Sequence, residues 1–262
     1  MKVDRKQIQE FKKIIGDYYK KNKRHLPWRN TKNPYNILVS EIMLQQTQVA
    51  RVLIKYSQFI DKFPDFKTLS EASLADVLLV WQGMGYNRRA MYLKKIAEIV
   101  TTKFKGRMPS DTKILATFPG IGKTTAHSIC AFAFNIPTIF IETNIRRVFI
   151  HSFFKDGQKI NDKEILPLVE TTLDPQNPRE WYYALMDYGA MLVKKVENPN
   201  RRSKHYSKQS QFEGSTRQLR GKALRHLLQY GYIEEQAFPK AVLTQMEKEG
   251  FIREKKGKYI IR

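Results

Sequence analysis

A mainly α-helical protein with a small winged-helix-like module at its C-terminal end is the fold class this sequence predicts, on three observations. From the start to about Gln209, apolar residues recur at spacings of three and four, interrupted by Pro, Gly and Asn. A Pro119-Gly120-Ile121-Gly122 turn separates two of these apolar runs. Beyond residue 209, two amphipathic stretches lead into a basic segment with the pattern of a β-hairpin.

Taken in order, Ile37, Leu38, Ile42, Val49, Val52, Leu53, Tyr56, Phe59 and Ile60 fit two helices joined around Gln45 to Gln48. Ser110-Asp111, after Pro109, reads as a helix cap, with Ile114 and Leu115 on the buried face that follows. Between Val193 and Lys208 the composition shifts to Lys, Arg, Asn, Pro and Ser, with Glu197 the single acid. That stretch reads as a linker or as a strap facing a polyanion. Gly221 to Tyr230 and Pro239 to Glu249 read as helices, and Phe251 to Arg262 as two short strands around Lys256-Gly257-Lys258. These three pieces fit a small winged helix or a structural cap.

Length and composition narrow the partners. A chain of 262 residues is enough for one large domain with an accessory module, or for two ordinary domains. Hydrophobic residues at 42% and aromatics at 12% supply a core, while no apolar run spans a bilayer and no leader opens the chain, so a cytoplasmic location is expected. Lys and Arg number 47 against 25 Asp and Glu, a net +22 whose self-repulsion a polyanion would relieve. Nucleic acid is the leading partner; a Lys-rich compositional bias is the alternative. The basic residues are spread along the chain rather than gathered on one amphipathic helix, which disfavours a membrane surface. The single Cys130 lies in an apolar stretch and reads as a buried filler, and one thiol excludes an intramolecular disulfide or a four-thiolate metal site.

The sharpest local motif runs Leu115-Ala116-Thr117-Phe118-Pro119-Gly120-Ile121-Gly122-Lys123-Thr124-Thr125-Ala126. Two glycines keep the turn tight and bring backbone amides close to a ligand, and the helix after it presents free N–H groups and a positive dipole end. Such a turn suits a DNA phosphate; Lys123 adds a mobile charge, and Thr124 is placed to cap the helix. An ordinary helical corner is the plain alternative.

A second segment carries the chemistry: Leu26-Pro27-Trp28-Arg29, Pro34-Tyr35, then Ser40-Glu41-Ile42-Met43-Leu44-Gln45-Gln46-Thr47-Gln48-Val49. Glu41 is flanked by apolar residues, and a carboxyl group desolvated there would have the raised pKa of a general acid. A helix-surface glutamate is the alternative.

Across Leu26 to Val193 the chain resembles the MutY-type adenine glycosylases of the helix-hairpin-helix superfamily. The likeness rests on the Glu41 segment, Trp81-Gln82-Gly83-Met84-Gly85-Tyr86, the glycine turn, and Met186-Asp187-Tyr188-Gly189-Ala190-Met191, in that order. It implies a two-lobed glycosylase domain over 1–209, with a six-helix lobe at about 31–128 and a second lobe from 1–30 and 129–209. The winged-helix-like module then occupies 210–262.

The resemblance also implies roles. Glu41 matches the acid that protonates the leaving purine, and Glu142 the carboxylate that stabilises an oxocarbenium-like sugar, although the family has Asp there. Asn144 matches an asparagine that hydrogen-bonds within the site, or else it caps the helix that follows. Thr124 stands where bifunctional relatives carry a Schiff-base lysine, which implies a monofunctional enzyme. Leu26, Trp28, Arg29, Tyr183 and Met186 match the base pocket. Gln45, Gln46, Thr47, Gln48, Gly85, Tyr86, Arg88, Gly120, Ile121, Gly122, Lys123 and Thr124 match the DNA face, with Gln46 and Tyr86 entering the base stack. Arg88 and Arg89 read as phosphate contacts or solvated charges. Carbonyls of Ala116, Phe118 and Ile121 correspond to ligands of a monovalent cation, Na+ or K+.

Three departures bear on substrate. The four cluster cysteines of the family are replaced by Val193, Asn200, Ser203 and Gln209, so no iron-sulfur cluster is expected. Tyr183 stands where the family reads the purine with Glu or Gln. About fifty residues follow Phe212, too few for the 8-oxoguanine-recognition module. The expectation is therefore a monomeric adenine glycosylase acting on double-stranded DNA with a mispair or damaged base, adenine facing 8-oxoguanine or guanine. A glycosylase for thymine or uracil opposite guanine, or a lesion-binding protein without catalysis, is the alternative.

Overall fold

The structure is a computed structural model that describes residues 4–155, 157, 159–209 and 211–262. It is mainly helical, as expected. In chain order the helices are α1 (Arg5–Asn22), α2 (Pro34–Leu44), α3 (Val49–Lys62), α4 (Phe66–Glu71), α5 (Leu74–Trp81), α6 (Arg88–Lys103), α7 (Thr112–Leu115), α8 (Lys123–Phe134), α9 (Thr143–Phe153), α10 (Asp162–Thr172), α11 (Pro178–Lys195), α12 (Thr216–Tyr230) and α13 (Lys240–Lys248). Three strands, β1 (Ile233–Glu234), β2 (Ile252–Lys255) and β3 (Lys258–Ile261), form an antiparallel sheet in the order β1-β3-β2. Among the described residues no helix is long and apolar enough to cross a membrane.

The chain divides into two compact units, Met1–Ile37 with Ser110–Thr117 and Ile121–Lys208, and Leu38–Pro109 with Phe118–Gly120 and Gln209–Arg262. Ser210, at the expected 209/210 boundary, lies outside the described residues.

In the first unit, α1 begins on Asp4, whose carboxylate accepts from Lys6 N, and buries Phe11 and Ile15. The Phe11 ring meets Phe149, Phe153 and Trp181 at centroid distances of 5.3, 4.8 and 6.1 Å, tying α1 to α9 and α11. Crossing of α9 and α11 requires Gly189, since a Cβ there would lie 2.5 Å from the Asn144 carbonyl oxygen. Asp111 caps α7 through the amides of Lys113 and Ile114, as the sequence predicts.

The 194–208 stretch is not a free linker. Pro199–Arg202 forms a 3-10 turn, Ile160 and Ser203 form a parallel bridge, and Asn200 Nδ2 donates to Thr143 O at 2.9 Å. Asn200 and Ser203 are buried, so the segment is sewn into the unit although its lysines face water.

In the second unit, α2 and α3 are separated at Gln45–Gln48, where expected, and Gln46 takes a φ of 53°. Trp81 packs edge-on against Phe59 and donates its indole N–H to Gly85 O at 3.1 Å, fixing the turn that ends α5. The C-terminal module packs within this unit: Glu249 pairs with Arg88 of α6 and Arg220 of α12. Its β2–β3 turn is Lys256-Gly257, with φ of 52° and 74°, the left-handed pair that suits a tight hairpin. Lys258 belongs to β3, and β1 is an element that two residues of sequence could not announce.

Candidate active site

The glycine turn is built as its sequence predicts. Gly120 has a φ of 76°, and a side chain there would collide with the Tyr92 ring, so both backbone and packing demand glycine. Gly122 is the N-cap of α8, with no side-chain cap; Thr124 is exposed and does not cap the helix, contrary to expectation, because it already lies inside it. Lys123 is exposed beside it and Ile121 is buried. Gln45 donates its amide to Gly120 O at 3.2 Å, joining the Gln45–Gln48 loop to this turn.

That loop is held by Arg89, which departs most from expectation. Its side chain is buried rather than solvated, and Nη1 donates to the carbonyls of Ile42, Met43 and Gln45 at 3.0, 2.8 and 2.6 Å. Nη2 reaches Thr47 Oγ1, Met84 O and Gly85 O at 2.9, 3.3 and 3.1 Å. One guanidinium therefore caps the C-terminal end of α2, where carbonyls lack helical partners, and fastens it to the Gly83–Gly85 turn. Burial pulls its pKa down to about 10, which leaves it charged at neutral pH. Gln46 and Gln48 stay exposed on this clamped loop, and Glu41, partly buried, lies on the last turns of α2. Arg88 is exposed but engaged with Glu249.

In the first unit, Glu142 is the N-cap of α9. Its Oε1 accepts from the amides of Asn144 and Ile145 at 2.7 and 2.8 Å, and Asn144 Nδ2 donates to Oε2 at 3.2 Å. The cap is thus Glu142, and Asn144 supports it: Arg147 Nη1 donates to Asn144 Oδ1 at 2.8 Å and to Gly189 O at 2.6 Å. Burial pushes the Glu142 carboxyl up, against the pull of the two amides and Arg147, and the net direction is upward.

Of the residues matched by resemblance to a base pocket, Leu26, Trp28 and Tyr183 are buried and Met186 is half-buried. The Arg29 side chain, matched to the same pocket, is buried. It makes a two-pronged pair with Asp187 at 2.9 and 2.8 Å and lies 4.4 Å from the Tyr183 centroid, while Phe132 stacks on Tyr183 at 4.7 Å and 12°. Asp187, which sequence reasoning gave no role of its own, also accepts from Arg24 N and Nε. Burial pushes its carboxyl up, but Arg29 and Arg24 outweigh that and the net direction is down. Its stabilising contribution is therefore present above the unfolded carboxylate pKa and lost as pH falls through the lower folded value. Asp187→Asn is expected to lower stability by about 3–5 kcal/mol at pH 7, because it strands a buried Arg29. Urea unfolding measures this, and a loss under 1 kcal/mol would contradict the buried pairing.

The glycine turn before α8 and the carboxylate fixed at the start of α9 both fall within the region that matches a known family. Residues 39–171 match the HhH-GPD superfamily of base excision DNA repair proteins, and the chain belongs to that superfamily. It is 38% identical over 193 residues to the adenine DNA glycosylase of Buchnera aphidicola subsp. Baizongia pistaciae, covering 72% of this chain and 54% of that protein. It is 34% identical over 179 residues to the adenine DNA glycosylase of Mycobacterium tuberculosis, covering 67% and 59%. The chain thus spans about half the length of the curated relatives it matches. Among solved structures, a thermostable thymine-DNA glycosylase superposes with a TM-score of 0.68 at 27% identity, covering 75% of this chain and 92% of that one.

Proposed function

We propose that this chain is a monofunctional DNA N-glycosylase, a cytoplasmic monomer acting on double-stranded DNA to release adenine from pairs with 8-oxoguanine or guanine. The observation that carries the reading is Glu142, a carboxylate pinned by two helix-end amides at the position where the resembled family stabilises a cationic sugar. The relatives named above as adenine DNA glycosylases support the choice of base.

In this reading Glu41 protonates the flipped adenine, making it a leaving group, and later takes a proton from the water that attacks the sugar. As the N-glycosidic bond breaks, positive charge develops on the sugar. Glu142, held without reorganisation by Asn144 and Ile145, stabilises it. Lys123 and the amides opening α8 grip a phosphate, and Gln46 fills the stack. The carbonyls of Ala116, Phe118 and Ile121 would hold Na+ or K+. A four-thiolate iron-sulfur cluster does not fit this chain: Cys130 is its single cysteine, and Asn200 and Ser203 are committed to Thr143 and Ile160.

Excision of thymine or uracil opposite guanine is the second reading. Two observations favour it: the likeness to a thymine-DNA glycosylase over 92% of that chain, and Tyr183 fixed between Arg29 and Phe132. Duplexes holding single A·8-oxoguanine, A·G, T·G and U·G pairs, incubated with the protein and treated with alkali, separate the readings. Adenine release abolished by Glu41→Gln is expected; release from T·G or U·G alone selects the second reading, and cleavage of none overturns both. Since Thr124 offers no amine, borohydride is expected to trap no covalent adduct, and a trapped species would disprove the monofunctional mechanism.

A further inference from the structure

Tyr86 follows the Gly83–Gly85 turn with a φ of 47°, a conformation uncommon for a residue with a side chain. The guanidinium carbons of Arg89 and Arg217 lie 5.4 and 5.5 Å from its ring centroid. Arg89 also lies 5.3 Å from the Trp81 centroid, and Arg217 lies 5.8 Å from that of Phe212. Aromatic rings and guanidinium groups therefore alternate along Trp81, Arg89, Tyr86, Arg217 and Phe212. The Tyr86 hydroxyl fixes the junction between α6 and the C-terminal module, accepting from Arg217 Nη1 at 2.6 Å and from Gln209 Nε2.

The two ends of this series differ. Trp81 is 1% exposed, whereas Phe212 is 59% exposed. An apolar protein partner would want further apolar side chains beside Phe212, but its neighbours in sequence, Gln211, Glu213 and Gly214, supply none, and the group over its ring is the Arg217 guanidinium. A planar ring presented singly to water, at the end of a series carrying two fixed positive charges, matches the face on which a nucleobase stacks.

We propose that Phe212 is a stacking platform for a nucleobase of duplex DNA that has lost its own stacking partner, with Arg217 and Gln209 holding the platform against Tyr86. This rests on the glycosylase reading, because extruding a target base is what leaves such a base behind. The C-terminal module then supplies part of the DNA face rather than a passive cap.

The probe is a duplex carrying a tetrahydrofuran abasic site with 2-aminopurine as the opposite base. Wild-type protein is expected to quench the 2-aminopurine on binding. Phe212→Ala is expected to lose that quenching and to weaken affinity at least about fivefold, and Phe212→Trp to restore both. Equal affinity and quenching by Phe212→Ala, with an unchanged circular dichroism spectrum, would overturn the proposal. Restoration by Phe212→Leu as complete as by Phe212→Trp would overturn it too, since bulk rather than stacking would then matter. Base release is assayed in parallel: with no release from any mispair but Phe212-dependent quenching intact, the glycosylase reading fails and the stacking site stands.

Discussion

Arg89→Met is expected to lower stability by about 4–6 kcal/mol, a large share of the 5–15 kcal/mol typical of a folded domain. The volume is nearly kept, so the loss comes from carbonyls. Those of Ile42, Met43, Gln45, Met84 and Gly85 and the Thr47 hydroxyl lose a charged donor together; Gly85 O keeps the Trp81 indole and Gln45 O the Thr47 hydroxyl, so the loss falls on the buried carbonyls of Ile42, Met43 and Met84, at about 1–3 kcal/mol for each unmet acceptor. Arg89→Lys is expected to rescue only part of this, because a point ammonium cannot span both sides of the fork. Urea denaturation reads the effect directly. A loss below 1 kcal/mol for the methionine variant would mean that the loop finds other donors.

Glu142→Gln is expected to slow base release by about 10²–10³-fold and at the same time to stabilise the protein at neutral pH. The sign follows from the raised pKa: the folded chain holds its proton to higher pH than the unfolded chain. Ionised Glu142 therefore weakens folding as pH rises above the ordinary carboxylate value; neutral glutamine escapes that penalty and its oxygen still accepts from the Asn144 and Ile145 amides, at the smaller cost of the Asn144 Nδ2 bond to Oε2. Melting temperatures across pH 4–8 test it; a glutamine variant no more stable than wild type at pH 7 would refute the assignment. Retained activity would remove Glu142 from the mechanism.

Local pattern carried a good deal of this molecule. The α2–α3 break, the Asp111 cap, the glycine turn, the burial of Cys130 and the C-terminal hairpin all depend on residues within one or two turns of each other, so their sequence states them. Arg89 could not be read that way. Arg88-Arg89 looks like paired surface charge, and only the return of the Ile42–Thr47 carbonyls turns the second arginine inward. The Arg29–Asp187 pair is separated by 158 positions, and the Phe212 series joins α5, α6 and α12. Glu142 was found by resemblance, but its capping of α9 is backbone geometry that residue identity alone does not reveal. Of the two readings of the 193–208 stretch, the free linker fails because Asn200 and Ser203 do the packing while the exposed lysines dominate the composition.

The single thiol has a further consequence. Cys130 is buried, donates to Ser110 O at 3.1 Å, and has its pKa pushed up by burial to about 11. Peroxide attacks the thiolate, whose share at pH 7 is then on the order of one molecule in ten thousand. Burial in the α8 core thus shields the single cysteine of the sequence from peroxide as well as from disulfide exchange with other thiols.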